Sequence, residues 1–196
     1  MLRFPDSLHA MGAIYAVWLL WVLSWWAAAF FADRAVKRSR WQIVPMIVLV
    51  AALVVLSHYL GAATLRLMLW STPPALRWGL LALVLAGMAF AWWARLTLGR
   101  LWSGTITLKP DHHIVDTGPY ALVRHPIYTG LLFSVAATVA AQGSVESAMI
   151  GAVMVIALFA KARAEERFLS GELGAEAYAA YRRRVPMLIP FWPKRG

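Results

Sequence analysis

A run of about 22 residues, positions 11–32, contains no charged side chain, and this constrains the chain more than any other feature. Crossing the hydrocarbon core of a bilayer takes about 20 apolar residues in a helix. Within lipid the backbone amides must be satisfied internally, which a helix does segment by segment. Comparable runs follow at about 41–60, 76–98, 126–141 and 145–160. Pro45 falls near the start of the second run, where a helix tolerates proline. The last two runs are short and are joined by Gln142-Gly143-Ser144, so they predict a hairpin whose final helix continues beyond the bilayer. The first run is too long for the apolar part of a signal peptide, although Ala27-Ala28-Ala29 resembles a cleavage site. The expected fold is therefore all-α, a polytopic membrane protein with about five transmembrane helices. Composition agrees: 61% of residues are hydrophobic and 14% charged, more apolar surface than a soluble domain of 196 residues hides. The 11 Trp and six Tyr are read as anchors at the membrane–water interfaces.

Charge orients these spans. Four Lys or Arg lie in residues 33–40. Arg95, Arg100, Lys109 and Arg124 surround the segment between the third and fourth runs, and eight more follow residue 160. These 16 occupy one side, against Arg3, Arg66 and Arg77 on the other. The positive-inside rule puts the N-terminus outside and the C-terminus in the cytoplasm. The net charge of +10 is then matched to anionic headgroups, and nucleic acid is not expected as a partner. The sequence has no Cys, which excludes disulfides and thiolate metal sites; no metal is expected.

The predicted spans hold almost no ionisable groups, so an ion or proton pathway has no residues to use. Chemistry belongs instead to the cytoplasmic stretches 99–125 and 161–196, which carry six of the nine acidic residues and three of the five His. Three clusters stand out there. Gly118-Pro119 marks a turn, and Pro126 holds Arg124 and His125 just before a helix N-terminus. That position attracts anions, although a snorkelling arginine and a capping histidine explain it equally. Glu165-Glu166 follow Lys161 and Arg163; solvated pairs at i,i+4 account for them, as does binding of a cationic group. Tyr178 and Tyr181 share a helical face ahead of Arg182-Arg183-Arg184, a pattern also expected of a lipid-binding tail.

Taken in order, these clusters resemble the isoprenylcysteine carboxyl methyltransferase family of integral membrane enzymes. The family pattern H-x-L-V-x-x-G-x-Y-x-x-x-R-H-P-x-Y-x-G is matched by His112, Val115, Gly118, Tyr120, Arg124, His125, Pro126, Tyr128 and Gly130, with Ile114 in place of leucine. Further on, Glu165, Glu166 and Leu169 match an E-E-x-x-L run. Gly174, Tyr178 and Tyr181 follow it, and Arg184, Val185, Pro186 and Pro190 match R-V-P-x-x-x-P. Leu173 stands where the family usually has an aromatic residue. The resemblance covers about residues 112–191, and the five-span layout is similar to that of the small prokaryotic members.

The resemblance implies a division into three N-terminal transmembrane helices in residues 1–98 and a catalytic region in 99–196 built around a hairpin at about 126–162. It implies S-adenosylmethionine as cofactor and S-adenosylhomocysteine as product. His112, Val115, Gly118, Tyr120, His125 and Glu165 are expected to line the cofactor pocket. Arg124 and Arg184 are expected at the acceptor carboxylate and Tyr128 where the two substrates meet; Glu166 is expected as a fourth catalytic residue, or in place of Glu165 at the cofactor pocket. The expected reaction is methylation of a lipophilic, prenylcysteine-like acid, facing the cytoplasm and most compatible with a bacterial inner membrane. Membrane lipids and a lipid-tailed acceptor are the expected partners. Phospholipid N-methyltransferases, thiol S-methyltransferases and NADPH-dependent sterol reductases share the C-terminal architecture and are the alternatives.

Overall fold

The computed structural model describes residues 6–30, 37–38, 67–108 and 113–191. The expected second span, 41–60, and His112 lie outside the described residues. Five helices are described: α1 (Asp6–Ala29), α2 (Pro74–Leu98), α3 (Pro126–Gln142), α4 (Val145–Leu173) and α5 (Ala175–Arg184). Short 3-10 turns at Gly99–Leu101 and Gly118–Ala121 and a two-residue antiparallel pairing of Lys37–Arg38 with Thr107–Leu108 complete them. Three helical stretches, His9–Ala28, Pro74–Leu101 and Val145–Leu173, are long and apolar enough to cross a membrane. Helix α3 is shorter, with 17 residues, or about 25 Å at 1.5 Å per residue.

Many side chains of the long helices face outward, including Leu19, Leu20, Leu83 and Ile156. A helix left apolar on its outer surface is solvated by lipid. Inside, Ile14, Val84, Met88, Ala137 and Ala141 are buried together. The contact between α2 and α3 is set by glycine. A Cβ at Gly87 would collide with Ser134 and the Gly130 carbonyl, and one at Gly130 would collide with the Gly87 carbonyl and Ala91. Without a hydrophobic drive between helices in lipid, close backbone approach of this kind supplies the packing. Ser134 Oγ lies 3.0 Å from the Val84 carbonyl across the same crossing, and Trp18 Nε1 donates to Thr138 Oγ1 at 3.0 Å to join α1 to α3.

The end of α3 explains why the hairpin turns where it does. Gly143 adopts the left-handed conformation (φ 69°) and closes the helix, and Ser144 and Ser147 form a reciprocal capping box at the start of α4. The last carbonyls of α3 have no partner within the helix. Trp70 Nε1 and Thr72 Oγ1 donate to the Ala140 carbonyl at 2.9 and 2.7 Å, and Arg77 Nε donates to that of Ala141 at 3.2 Å. This end of the bundle is therefore sealed. The opposite end, where α2 finishes, α3 begins and α4 runs on to Leu173, gathers the polar clusters singled out from the sequence.

Candidate active site

Residues 113–125 reach α3 through a turn that only glycine adopts easily, with Gly118 at φ 56° packed on Thr97. Pro119 and Tyr120 are buried behind it. Pro126 then opens α3 and leaves His125 non-helical at the N-cap (φ −124°, ψ 63°). The backbone here is paired with the segment after α5: Arg124 N–H donates to the Pro186 carbonyl at 2.9 Å and His125 N–H to that of Met187 at 3.1 Å. Thr129 Oγ1 adds a bond to the Leu188 carbonyl at 2.7 Å. The proline-bounded tail is thus a structural strap across the start of α3.

Side chains consolidate the same junction. Arg124 Nε donates to Glu166 Oε1 at 2.7 Å, both side chains being under 10% exposed, and Arg124 Nη1 reaches the carbonyls of Arg182 and Val185. His125 sits between two carboxylates, with Nε2 3.3 Å from Glu166 Oε1 and Nδ1 3.8 Å from Glu165 Oε2. Its ring stacks on Tyr128 (centroids 5.3 Å apart), and Tyr128 O–H donates to Glu165 Oε2 at 2.7 Å. The two glutamates therefore do not form the local solvated pairs expected from spacing. Each is taken by a residue about 40 positions away, because helix α4 carries them past the beginning of α3.

Tyr178 and Tyr181 of α5 pack edge to face, 6.1 Å between centroids, and are buried with Val185 against Ile114 and Leu169. Tyr181 O–H donates to the Tyr120 carbonyl at 2.8 Å. Burial pushes the phenols of Tyr120, Tyr178 and Tyr181 above their ordinary value; neighbouring glutamates reinforce this for Tyr120 and Tyr178, and Asp116 and Glu166 do so for Tyr181. All three are neutral hydrogen-bonding groups at physiological pH.

A cavity of about 510 Å³ opens at this end of the bundle. Tyr120, His125, Tyr128, Glu165 and Lys161 supply its polar groups, with Val115 among them. Trp21, Trp25, Leu131, Met154 and Leu158 supply apolar lining drawn from the spanning helices. Of the residues singled out from sequence, Val115, Tyr120, Arg124, His125, Tyr128 and Glu165 line the cavity, as do Tyr178 and Tyr181. Glu166 lies behind the wall, holding Arg124 and His125. Gly118 shapes the turn. Arg184 points to solvent, 64% exposed, and pairs with Asp116 at 3.0 Å. The wall also contains residues that motif reasoning missed. Trp21 and Trp25 stack 4.6 Å apart, and Trp102 meets Trp25 edge-on at 5.4 Å. Buried Arg95 lies over Trp102 and donates to the carbonyls of Gly99 and Ala28 at 2.8 Å each, tying the ends of α1 and α2 together. Among the described residues no cluster of three His, Asp or Glu is arranged to hold a metal ion.

Comparison with known proteins gives this arrangement a class. Residues 80–170 match the model of the isoprenylcysteine carboxyl methyltransferase (ICMT) family. The chain is 31% identical over 166 residues to the cobalt-zinc-cadmium resistance protein CzcN of Cupriavidus metallidurans, covering 81% of this chain and 67% of the relative. It is 32% identical over 114 residues to protein-S-isoprenylcysteine O-methyltransferase B of Arabidopsis thaliana, covering 57% of each. It also superposes on the structure of a eukaryotic intramembrane Ras methyltransferase with a TM-score of 0.67 at 20% identity, over 97% of this chain and 69% of that one. The molecule is a helical integral membrane protein of the methyltransferase class. It belongs to the isoprenylcysteine carboxyl methyltransferase family.

Proposed function

We propose that the protein uses S-adenosylmethionine to methylate the carboxylate of a lipophilic acid of the prenylcysteine kind, at the cytoplasmic face of the membrane. The observation that carries this reading is the mixed lining of the cavity: tyrosine rings, His125 and Glu165 together with apolar side chains of the spanning helices. A sulfonium is a cation, and the Tyr128 ring and the Glu165 carboxylate are groups that attract cations; Tyr120, Val115 and His125 complete that wall. When bound, S-adenosylmethionine supplies a methyl group whose S–C bond breaks as the acceptor oxygen forms the new O–C bond, the electron pair staying on sulfur. The apolar wall suits a lipid tail and excludes water from the reacting atoms.

An ionised carboxylate needs no base at neutral pH. His125 is engaged between Glu165 and Glu166, which supports an acid acceptor over an amine that must first lose a proton. Arg124, turned toward Glu166 and the strap carbonyls, acts in this reading as a positioning residue that fixes the wall. The test is methyl transfer from labelled S-adenosylmethionine to a prenylcysteine by purified protein in lipid nanodiscs, beside calorimetric titration with S-adenosylhomocysteine and NADPH. Binding of S-adenosylhomocysteine with formation of a base-labile methyl ester is expected. Binding of NADPH alone, or no ester from any lipophilic acid, would overturn the reading.

A further inference from the structure

The proposed acceptor and the proposed cofactor both carry a carboxylate, yet the arginines matched by motif are not free in the cavity: Arg124 is held by Glu166 and Arg184 by Asp116. Lys161 is placed differently. It lines the cavity one turn before Glu165, and its Nζ donates to a single acceptor, the carbonyl of Gly104 at 3.0 Å. The ammonium also lies 5.4 Å from the centre of the Tyr128 ring. Glu165, one turn on, attracts the ammonium through space but makes no ion-pair contact with it, its carboxylate being directed to Tyr128 and His125. An ammonium has three N–H donors, so two of them remain for a ligand. Unused ammonium donors facing a largely apolar cavity are groups that a ligand anion would satisfy.

A second observation points the same way. The Gly104 carbonyl that holds Lys161 belongs to the loop that leads into Thr107. Thr107 is 5% exposed, lines the same cavity, and its hydroxyl makes no hydrogen bond within the described residues. Rotation about χ1 is all that is needed to turn a threonine hydroxyl toward a ligand. The Trp21 indole N–H, on another wall residue, is likewise unpartnered.

We infer that Lys161, assisted by Thr107, is the carboxylate-binding group of the cavity. The inference rests on the reading of the cavity as a methyltransferase site. The carboxylate belongs either to the lipophilic acceptor or to the methionyl part of the cofactor, and two paired comparisons separate these sources. For the acceptor, inhibition by a prenylcysteine acid is compared with inhibition by its carboxamide. For the cofactor, binding of S-adenosylhomocysteine is compared with that of 5′-methylthioadenosine, which lacks the amino-acid part. Both ratios are measured on full-length wild type, Lys161→Met, Lys161→Arg and Thr107→Val in nanodiscs.

Lys161→Met is expected to shrink one of the two ratios about ten-fold or more, the size of a lost charge-assisted hydrogen bond. Lys161→Arg is expected to keep that ratio within about three-fold, because charge and donors survive, and Thr107→Val to shrink the same ratio by a smaller factor. A fall in the acid-to-amide ratio assigns the site to the acceptor, and a fall in the other assigns it to the cofactor. Folded Lys161→Met protein with both ratios unchanged overturns the inference while leaving the methyltransferase reading intact. Wild type that binds neither adenosyl ligand overturns that reading, and this inference falls with it.

Discussion

Arg124 and Arg184 match the same family pattern, but their surroundings give them opposite consequences for stability. Arg124 and Glu166 form a buried, hydrogen-bonded pair that also fixes His125 and the strap carbonyls. Removing one partner of such a pair strands the other without water or counter-charge. Glu166→Gln is expected to lower stability by about 3 kcal/mol, seen as a lower melting midpoint and faster proteolysis of the tail beyond residue 184. Arg184 and Asp116 meet in solvent, where an ion pair contributes under about 1 kcal/mol. Arg184→Ala should therefore melt with the wild type, and any loss of turnover in it reads as chemistry. A melting curve for Arg184→Ala displaced as far as that of Glu166→Gln would sink this division. None of it was legible locally. Helical spacing pairs Glu166 with Arg163, whereas the structure pairs it with a residue 42 positions earlier, because the partner is decided by where α3 begins.

Among the elements, α2 and α3 are held by a glycine crossing and α5 by two buried phenols, and each predicts its own response. Gly130→Ala introduces a Cβ into the Gly87 carbonyl and Ala91, and overpacking of this kind typically costs about 1–3 kcal/mol. Gly79→Ala, on the same α2 but with nothing within 4 Å of the new atom, is expected to be neutral or slightly stabilising through helix propensity. Equal melting of the two variants would remove the crossing as the determinant of packing. For α5 the lever is pH. Tyr120, Tyr178 and Tyr181 keep their protons in the fold to higher pH than in the unfolded chain, because burial disfavours the phenolate. Above about pH 10 the unfolded state then binds fewer protons than the native one, so stability falls as pH rises; below that value the contribution is fully present. Phenolate absorbance is expected to appear together with release of α5, followed by protease sensitivity, and ionisation of these tyrosines with α5 still docked would contradict it. The helices themselves were legible: apolar run lengths mark α2 and α3 to within two residues, α1 to within five, and the start of α4, whose continuation past the apolar run was expected without an end point. The Trp cluster was not. Trp21, Trp25 and Trp102 fit interfacial anchoring by composition, and only the tertiary crossing of α1 with the loop after α2 turns them into a cavity wall.

For the whole molecule the open question is which side the cavity faces, and the two ends of the bundle make it answerable. The sealed end carries Trp70, Thr72 and the Gly143–Ser144 turn, joined by the pairing of Met68 with Ser144. The cavity end carries the last turns of α4, and α5 with Arg182, Arg183 and Arg184. With 29 residues, α4 is about 43 Å long, more than the roughly 30 Å of hydrocarbon a span covers, so its final turns are expected to leave the bilayer on the cavity side. The excess of Lys and Arg at that end predicts a cytoplasmic cavity. Because the chain has no Cys, a single introduced one reports without background. Ser71→Cys at the sealed end and Gly171→Cys beyond the bilayer are both at exposed positions. In intact bacterial spheroplasts a membrane-impermeant maleimide is expected to label Ser71→Cys and spare Gly171→Cys, and inverted vesicles should give the reverse. The opposite pattern would put the cavity outside the cell, away from the cytoplasmic supply of S-adenosylmethionine, and the proposed reaction would lose its methyl donor.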